Sequence, residues 1–244
     1  MKAFKIVGMM RVKDEIRWIQ QVIDSMRSIC SEVVVLDDHS TDGTLELLQS
    51  MAPFVTVVEN PYHGLDEARD KDFLLRIVIG LSPDWVLAID GDEELEPKAQ
   101  AKIKHFLHRH GEDPQVAVFA FKVCYLWDSP DKVRVDGVYE NFYRPSMFRI
   151  TDQPISRLHF NQTGGPGNHN LHCSNFPQGL KGGILNVAVR LKHYGYLAAE
   201  DRQRKFEYYN SVDPGNITED CYKHILGLPS RHAPGKLEFQ AWED

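Results

Sequence analysis

The sequence predicts an α/β protein whose mostly parallel, Rossmann-like central sheet is flanked by helices. Short apolar and β-branched runs alternate with amphipathic helical patterns through the first half of the chain, an arrangement typical of parallel sheets. One run, residues 85–89, is apolar throughout and ends in turn residues, as expected for a strand buried on both faces of the sheet. We therefore expect right-handed β-α-β crossovers as far as that strand.

The individual elements follow from periodicity and from helix-terminus signals. Apolar or β-branched runs predict strands at residues 3–10, 33–36, 55–58, 85–89 and 116–127. Apolar residues three and four apart predict helices that begin near Ile16, Leu45 and Asp66, while Pro97 and Gly111 bracket a fourth helix. Residues 128–190 are rich in Pro, Gly, Asn, His and aromatic residues, so short strands and long loops are expected before a charged helix at 199–212.

The composition excludes several classes of protein. The chain has 42% hydrophobic and 26% charged residues, as ordinary globular proteins do, and its net charge of −7 argues against nucleic-acid binding. The scattered cysteines, Cys30, Cys124, Cys173 and Cys221, favour a reducing compartment over a disulfide framework. No apolar run is long enough to span a bilayer, and the first residues lack a signal-peptide pattern. We expect a cytoplasmic protein without its own membrane anchor, peripheral at the inner face of the membrane only through a partner.

Two acidic clusters each follow a predicted strand. Asp37 and Asp38 end one strand, and Asp90, Gly91 and Asp92 end the apolar run. Because ligands of parallel sheets bind beyond the carboxyl ends of the strands, these carboxylates are expected at the mouth of a site. The alternatives are a solvated acidic turn for the second cluster and helix capping for the first, although capping does not require both aspartates. The glycine-rich phosphate loops of dinucleotide-binding and P-loop proteins are absent from the sequence.

The segments VVVLDDHSTDGT (residues 33–44) and DWVLAIDGDEEL (residues 84–95) closely resemble the family-2 glycosyltransferases of the GT-A fold. The second segment matches the D-x-D segment of that family, and the first departs from its pattern in having His39 where glycine is usual. RVKDE (residues 11–15) is similar to the family's K-N-E, and HYGY (residues 193–196) with the following basic helix resembles a C-terminal stretch of bacterial members. The resemblance covers residues 3–127, thins from 128 to 190 and returns at 191–212.

The resemblance implies a metal-dependent, inverting transfer of a sugar from a nucleotide-diphosphate sugar, with UDP favoured over GDP or TDP. The acceptor would be a hydroxyl of a glycan, a lipid-linked molecule or a small molecule. Residues 1–127 would bind the donor and residues 128–244 the acceptor, within one globular domain. Mn²⁺ or Mg²⁺ would be held by Asp92 and His193, since such hard cations prefer carboxylate oxygens and tolerate imidazole. The implied donor-binding residues are Arg11, Asp37, Asp38, Arg69 and Asp90.

Several assignments have alternatives. His193 would otherwise be an interior histidine, and Arg69 would otherwise form a helix ion pair with Glu67 or Asp66. The motif that usually carries the catalytic base is missing, so Glu140 and then Asp136 are the candidates, each otherwise a loop carboxylate. A further predicted cluster consists of His159, His169 and His172. Its expected ligand is either zinc or the hydroxyl groups of a sugar.

Two other functions remain open. A sugar-phosphate nucleotidyltransferase of related fold would need a glycine-rich basic loop after the first strand, which residues 8–15 supply poorly. A catalytically degenerate GT-A binding protein is favoured by the missing base motif. The resemblance places a glycosyltransferase ahead of both.

Overall fold

The computed structural model describes residues 3–161, 173–215 and 222–244. Its strands are β1 Ile6–Val12, β2 Glu32–Asp37, β3 Val55–Glu59, β4 Trp85–Ala88, β5 Glu93–Leu95, β6 Val116–Tyr125, β7 Lys132–Arg134, β8 Tyr143–Arg149, β9 Gly183–His193 and β10 Phe239–Ala241. Its α-helices are α1 Ile19–Met26, α2 Thr44–Gln49, α3 Glu67–Gly80, α4 Ala99–His110 and α5 Ala199–Val212.

An eight-stranded sheet organises the described residues, in the order β3-β2-β1-β4-β8-β6-β9-β5. Strands β3, β2, β1 and β4 are parallel, β8 enters antiparallel between β4 and β6, and β9 runs parallel to β6. A small antiparallel pair, β7 and β10, lies apart from it. The predicted α/β class with a mostly parallel central sheet is therefore confirmed.

Both faces of the sheet are buried, as the apolar run at residues 85–89 predicts. Trp85 and Leu87 pack in the cluster that contains α1 and α4, whereas Val86 and Ala88 pack in the cluster that contains α3. Successive side chains of a strand point to opposite faces, so an apolar residue is required at each position of β4. This burial fixes where β4 ends and holds the acidic residues that follow it at the edge of the sheet.

The antiparallel pairing of β5 with β9 was not predicted. Strand β9 is 11 residues long and begins within the region expected to form short strands and long loops. Its buried residues Val187, Val189, Leu191 and His193 alternate with more exposed ones, which is the period of a strand with one buried face. That alternation is readable in the sequence, but the Pro, Gly, Asn and His content of residues 128–190 favoured short strands and long loops.

Strands from residues 1–127 and from residues 128–244 belong to the same sheet, because β8 and β9 lie beside β4, β6 and β5. The assignment of the two halves to donor and acceptor stays a prediction. Among the described residues, no helix combines the length and the apolar character needed to cross a bilayer.

Candidate active site

A cleft of about 450 Å³ opens where β1, β2 and β4 end, with the start of α3 and one side of α5 forming its walls. This is the edge at which parallel α/β sheets bind ligands, because adjacent strands there send their loops in different directions. The residues that line the cleft are Arg11, Val12, Lys13, Glu15, Asp38, His39, Gly64, Leu65, Glu67, Lys71, Asp90, Gly91, Asp92, Lys205, Tyr208 and Tyr209.

Arg11 and Asp38 meet at one end of the cleft. The Arg11 guanidinium donates to Asp38 Oδ2 at 2.5 Å and to Asp70 Oδ2 at 3.0 Å, and Asn60 Nδ2 donates to Asp38 Oδ1 at 2.8 Å. Asp70 is fully buried, and a buried charge needs a partner. The guanidinium groups of Arg11 and Arg69 both compensate it. Arg11 and Asp38, both predicted to bind the sugar donor, therefore form one rigid, hydrogen-bonded pair facing the cleft.

Two other predicted donor-binding residues are held by contacts outside the cleft lining. Asp37 is 1% exposed, and its Oδ1 accepts from the Ser40 backbone N–H at 3.0 Å. Arg69 donates to Asp70 Oδ1 at 2.8 Å and to the Gly64 carbonyl at 2.9 Å. Neither residue lines the cleft, and Arg69 has an ion-pair partner, Asp70, that differs from those considered in the sequence.

Asp90 lies in the cleft beside a cation that the sequence did not reveal. Arg144 on β8 donates to Asp90 Oδ2 at 2.8 Å and also to Glu93 Oε2. Although burial raises it, the pKa of Asp90 is held below its usual value by Arg144 and Lys71. Arg144 comes to Asp90 through the antiparallel entry of β8 next to β4, and a lone arginine within a strand gives no signal of this in the sequence.

Asp92 and His193 lie together, although the chain separates them widely. In the pairing of β5 with β9, Glu93 is opposite His193, and the Tyr194 backbone N–H donates to the Asp92 carbonyl at 2.9 Å. His193 Nε2 consequently lies 3.7 Å from Asp92 Oδ2. The sheet register therefore brings the two predicted metal ligands to one point beside the cleft.

The electrostatics of this pair suit metal binding. Burial lowers the pKa of His193 to about 4, so its imidazole is neutral near pH 7, and its Nδ1 is buried with no hydrogen-bond partner among the described residues. Burial raises the pKa of Asp92, but Lys205 and His193 outweigh it and hold that pKa well below the usual range. A metal requires a neutral imidazole and an ionised carboxylate, and both are present.

The donor set fits a divalent cation that also takes ligands from a substrate. An oxygen and a nitrogen 3.7 Å apart are close enough to share one cation at the usual bond lengths of about 2.1 Å. The described residues contain no group of three or more His, Cys, Asp or Glu side chains arranged to hold a metal. Two protein ligands leave the remaining positions to water or to phosphate oxygens.

Lys205 on α5 completes the contacts of Asp92. Its ammonium donates to Asp92 Oδ2 at 2.9 Å, so the same carboxylate oxygen faces both Lys205 and His193. Gly195 permits this arrangement, because a Cβ there would collide with Lys205 Nζ and Asp92 Oδ2 and would lie 2.8 Å from His193 Cε1. The sequence marked the HYGY stretch and the basic helix but assigned no role to Lys205 or Gly195.

Glu15 also lines the cleft, although the sequence indicated it only as part of the RVKDE motif at residues 11–15. Burial and then the nearby Asp92 charge raise the pKa of Glu15 to about 8. Its side chain packs over Gly91, where a Cβ would lie 3.1 Å from Glu15 Cγ. Near neutral pH this carboxyl group is therefore largely protonated and can donate a hydrogen bond into the cleft.

The candidate bases Glu140 and Asp136 line a second cavity of about 510 Å³. Asp136 is 3% exposed and accepts two hydrogen bonds from the fully buried Arg134, at 2.7 and 2.8 Å. Burial raises the pKa of Asp136, but the Arg134 contacts outweigh it and leave that pKa below its usual value. Glu140 is exposed, so it is the better placed of the two to take a proton.

Of the predicted histidine cluster, only His159 falls within the described residues. It is exposed, and its Nδ1 lies 2.9 Å from the Arg157 carbonyl. His169 and His172 lie outside the described residues.

Comparison with solved structures identifies the fold. The chain superposes on TarS of Staphylococcus aureus with a TM-score of 0.51 and 15% identity, over 91% of this chain and 69% of that structure. At this identity the similarity concerns the fold, which is the GT-A fold of nucleotide-sugar transferases.

Sequence comparison then gives the family. The profile of glycosyl transferase family 2 matches residues 9–166, and the chain belongs to this family and is a glycosyltransferase. An uncharacterized glycosyltransferase of Rickettsia conorii is 30% identical over 225 residues, covering 90% of this chain and 72% of the relative. An uncharacterized glycosyltransferase of Rickettsia prowazekii is also 30% identical, over 90% of this chain and 70% of the relative. The resemblance seen in the two acidic motifs is therefore confirmed.

Proposed function

We propose that the protein transfers a sugar from a UDP-sugar to a hydroxyl acceptor, with a divalent metal and with inversion at the anomeric carbon. The observation that carries the proposal is the approach of His193 to Asp92, 3.7 Å apart, beside a cleft that also contains Asp38, Arg11 and Asp90. A nucleotide-diphosphate sugar needs both a polar pocket for its nucleoside and compensation for its diphosphate charge. This edge of the sheet offers both.

The nucleoside would lie against Arg11 and Asp38. Asp38 is held by Arg11 and by Asn60, so its carboxylate keeps one orientation and can accept from a base N–H or a ribose hydroxyl. Asp90, fixed by Arg144, is the next acceptor along the cleft. Asp37 and Arg69 would act indirectly, by holding the loops at Ser40 and Gly64 in place.

Asp92 and His193 would hold Mn²⁺ or Mg²⁺, which when bound neutralises the charge of the leaving diphosphate. The chain's own contribution is to keep the Asp92 carboxylate ionised and the His193 imidazole neutral at neutral pH. The acceptor oxygen would attack the anomeric carbon as the bond to the diphosphate breaks, and its proton would pass to a carboxylate. Glu140 is the first candidate for that base and Asp136, bound by Arg134, the second.

Two observations favour UDP over GDP or TDP as the nucleotide of the proposed donor. The family resemblance favours it, and the similar fold of TarS has been solved in complex with UDP-GlcNAc, with 14% identity and a TM-score of 0.51. The acceptor would be a glycan, a lipid-linked molecule or a small molecule. Residues 128–244 would bind it, and residues 1–127 would bind the donor.

A donor panel tests the proposal. UDP-, GDP- and TDP-sugars are incubated with the protein and Mn²⁺, and the nucleotide product is measured for wild type, Asp92→Ala and Asp24→Ala. UDP release that disappears in Asp92→Ala and persists in Asp24→Ala is expected, because Asp24 is an exposed carboxylate of α1 that pairs with Arg27. EDTA should abolish the release as well.

Other outcomes identify other functions. Nucleoside triphosphate and sugar phosphate formed from a nucleotide-sugar and pyrophosphate would indicate a nucleotidyltransferase. Nucleotide binding that needs no metal and gives no product with any donor would indicate a degenerate binding protein. UDP release that is equal in wild type and Asp92→Ala would contradict the proposed metal site.

A further inference from the structure

The ion pair between Lys205 and Asp92 occupies the carboxylate oxygen that faces the other proposed metal ligand. Lys205 Nζ lies 2.9 Å from Asp92 Oδ2, and His193 Nε2 lies 3.7 Å from the same atom. The Asp92 side chain is 7% exposed and that of Lys205 is 24% exposed, so water screens the pair only weakly. A dication brought to this oxygen would meet an ammonium already bound there.

We propose that Lys205 competes with the divalent metal for Asp92, so that the cleft binds metal weakly alone and strongly together with a nucleoside diphosphate. The inference rests on the proposed function, because it takes Asp92 and His193 as the residues that hold the metal. It adds a dependence of metal binding on nucleotide that the metal ligands alone do not imply.

Steric confinement keeps the Lys205 ammonium close to Asp92. The ammonium, the Asp92 carboxylate and the His193 ring all converge on the bare Cα of Gly195, which leaves little room between them. The first turn of α5 is anchored by Asp201, which accepts two hydrogen bonds from Arg17 at 2.9 and 2.8 Å. The helix itself is therefore fixed, and only the flexible lysine side chain needs to move.

Lys205 is also held by fewer carboxylates than Arg11 and by fewer side-chain partners than Lys71. Among the described residues, Arg11 is bound by two carboxylates, whereas the one ion pair of Lys205 is with Asp92. Lys71 is bound by Glu67 at 2.6 Å and by the Asn175 side chain. An ammonium has three donors, so Lys205 can take phosphate oxygens once Asp92 is engaged elsewhere.

A diphosphate in the cleft would relieve the competition. It carries negative charge to which Lys205 can turn, so the metal gains Asp92 without two cations sharing one oxygen. By linkage, whatever the nucleotide adds to metal affinity the metal adds to nucleotide affinity. Removing the lysine charge should consequently have opposite effects on the two ligands.

The test measures Mn²⁺ binding to the full chain without nucleotide, by the EPR signal of free Mn²⁺. Wild type is compared with Lys205→Met, Lys205→Gln, Lys205→Arg, Arg204→Gln and Asp92→Asn. We expect Lys205→Met and Lys205→Gln to bind Mn²⁺ about tenfold more tightly than wild type, and Lys205→Arg to resemble wild type. Arg204→Gln is the matched control, because Arg204 is on the same turn, is 71% exposed and pairs with Asp201.

A second arm measures UDP affinity by calorimetry in saturating Mn²⁺. Lys205→Met and Lys205→Gln should bind UDP several-fold more weakly than wild type, since the diphosphate loses an ammonium partner. A purely structural role for Lys205 would weaken both ligands together. Circular dichroism of each variant checks the fold, and the two neutral variants make the result independent of either one failing to fold.

Each result separates the inference from the proposed function. If Mn²⁺ binding is lost in Asp92→Asn but is unchanged or weaker in both neutral Lys205 variants, the competition is overturned and the metal site stands. If Asp92→Asn binds Mn²⁺ as wild type does, or if no variant binds it, the proposed metal site fails and the inference fails with it.

Discussion

At the scale of single residues, three acidic side chains come close together at one end of the cleft. Glu15, Asp90 and Asp92 lie near one another, with Lys205 and Arg144 as the nearest cations. Burial and the Asp92 charge raise the pKa of Glu15 to about 8, so this group keeps a proton that the others have lost. Protonation of one carboxyl reduces the repulsion within the group.

Glu15 should make stability depend on pH. The ordinary pKa of a glutamate is 4.5, whereas that of Glu15 in the folded protein is about 8, so the folded state binds more protons between these values. The free energy of unfolding should therefore fall as pH rises from 5 to 8 without metal. Glu15→Gln removes this loss, and its stability relative to wild type should rise over that range by at least about 1 kcal/mol.

Urea unfolding in EDTA at pH 5, 6, 7 and 8 measures the difference between Glu15→Gln and wild type. Glu207→Gln, a change at an exposed glutamate of α5, serves as the control and should show no such trend. A difference that stays constant with pH for Glu15→Gln would contradict the raised pKa.

At the scale of elements, the site depends on how closely the turn between β9 and α5 approaches the end of β4. The turn carries Gly195, whose missing side chain leaves space for Lys205, Asp92 and His193. The sequence predicted α5 with its observed bounds, because charged residues at 199–212 follow a clear break. It did not predict which face of α5 turns toward Asp92, since that depends on contacts with residues far away in the chain.

A methyl group at Gly195 should disable the site and leave the fold intact. Gly195→Ala forces the turn away from Asp92, and a misplacement of about 1 Å can reduce activity on the order of 100-fold. Gly80→Ala is the matched control, because a Cβ at the end of α3 meets nothing within 4 Å.

UDP release and Mn²⁺ binding are the readouts for both glycine variants, with circular dichroism to check the fold. Near-normal activity in Gly195→Ala would show that Asp92, His193 and Lys205 do not need their close approach.

At the scale of the whole molecule, the strand order ties the two halves of the chain together. Strand β8 pairs with β4, and β9 pairs with both β6 and β5. Residues 1–127 alone therefore leave β6 without either sheet neighbour, β4 with only β1 beside it, and Asp92 without His193. The sequence predicted the parallel half well, because burial on two faces leaves continuous apolar runs such as residues 85–89.

The rest of the architecture was harder to predict for a physical reason. Strand β9 has one buried face and begins at an exposed glycine, so its pattern of apolar residues is weaker than that of β4. The contact of Arg144 with Asp90 arises only when β8 inserts antiparallel beside β4. Such contacts are set by topology, which local patterns do not encode.

A fragment of residues 1–127 should consequently fail to fold on its own. We expect no cooperative thermal transition by circular dichroism and poorly dispersed amide signals in a ¹H–¹⁵N spectrum, since the fragment exposes the fully buried Val86 and Leu87 at an unpaired edge. The full chain under the same conditions is the control. A fragment that melts cooperatively and binds UDP would instead be an independent donor domain.

The register that sets Glu93 opposite His193 has a consequence for how such proteins diversify. Main-chain hydrogen bonds between β5 and β9, and between β9 and β6, fix the positions of Asp92 and His193. The two residues therefore stay opposed as long as this register is kept, whatever side chains the exposed positions of β9 carry. Evolution or protein engineering could vary those exposed positions while the chemistry at the sheet edge is retained.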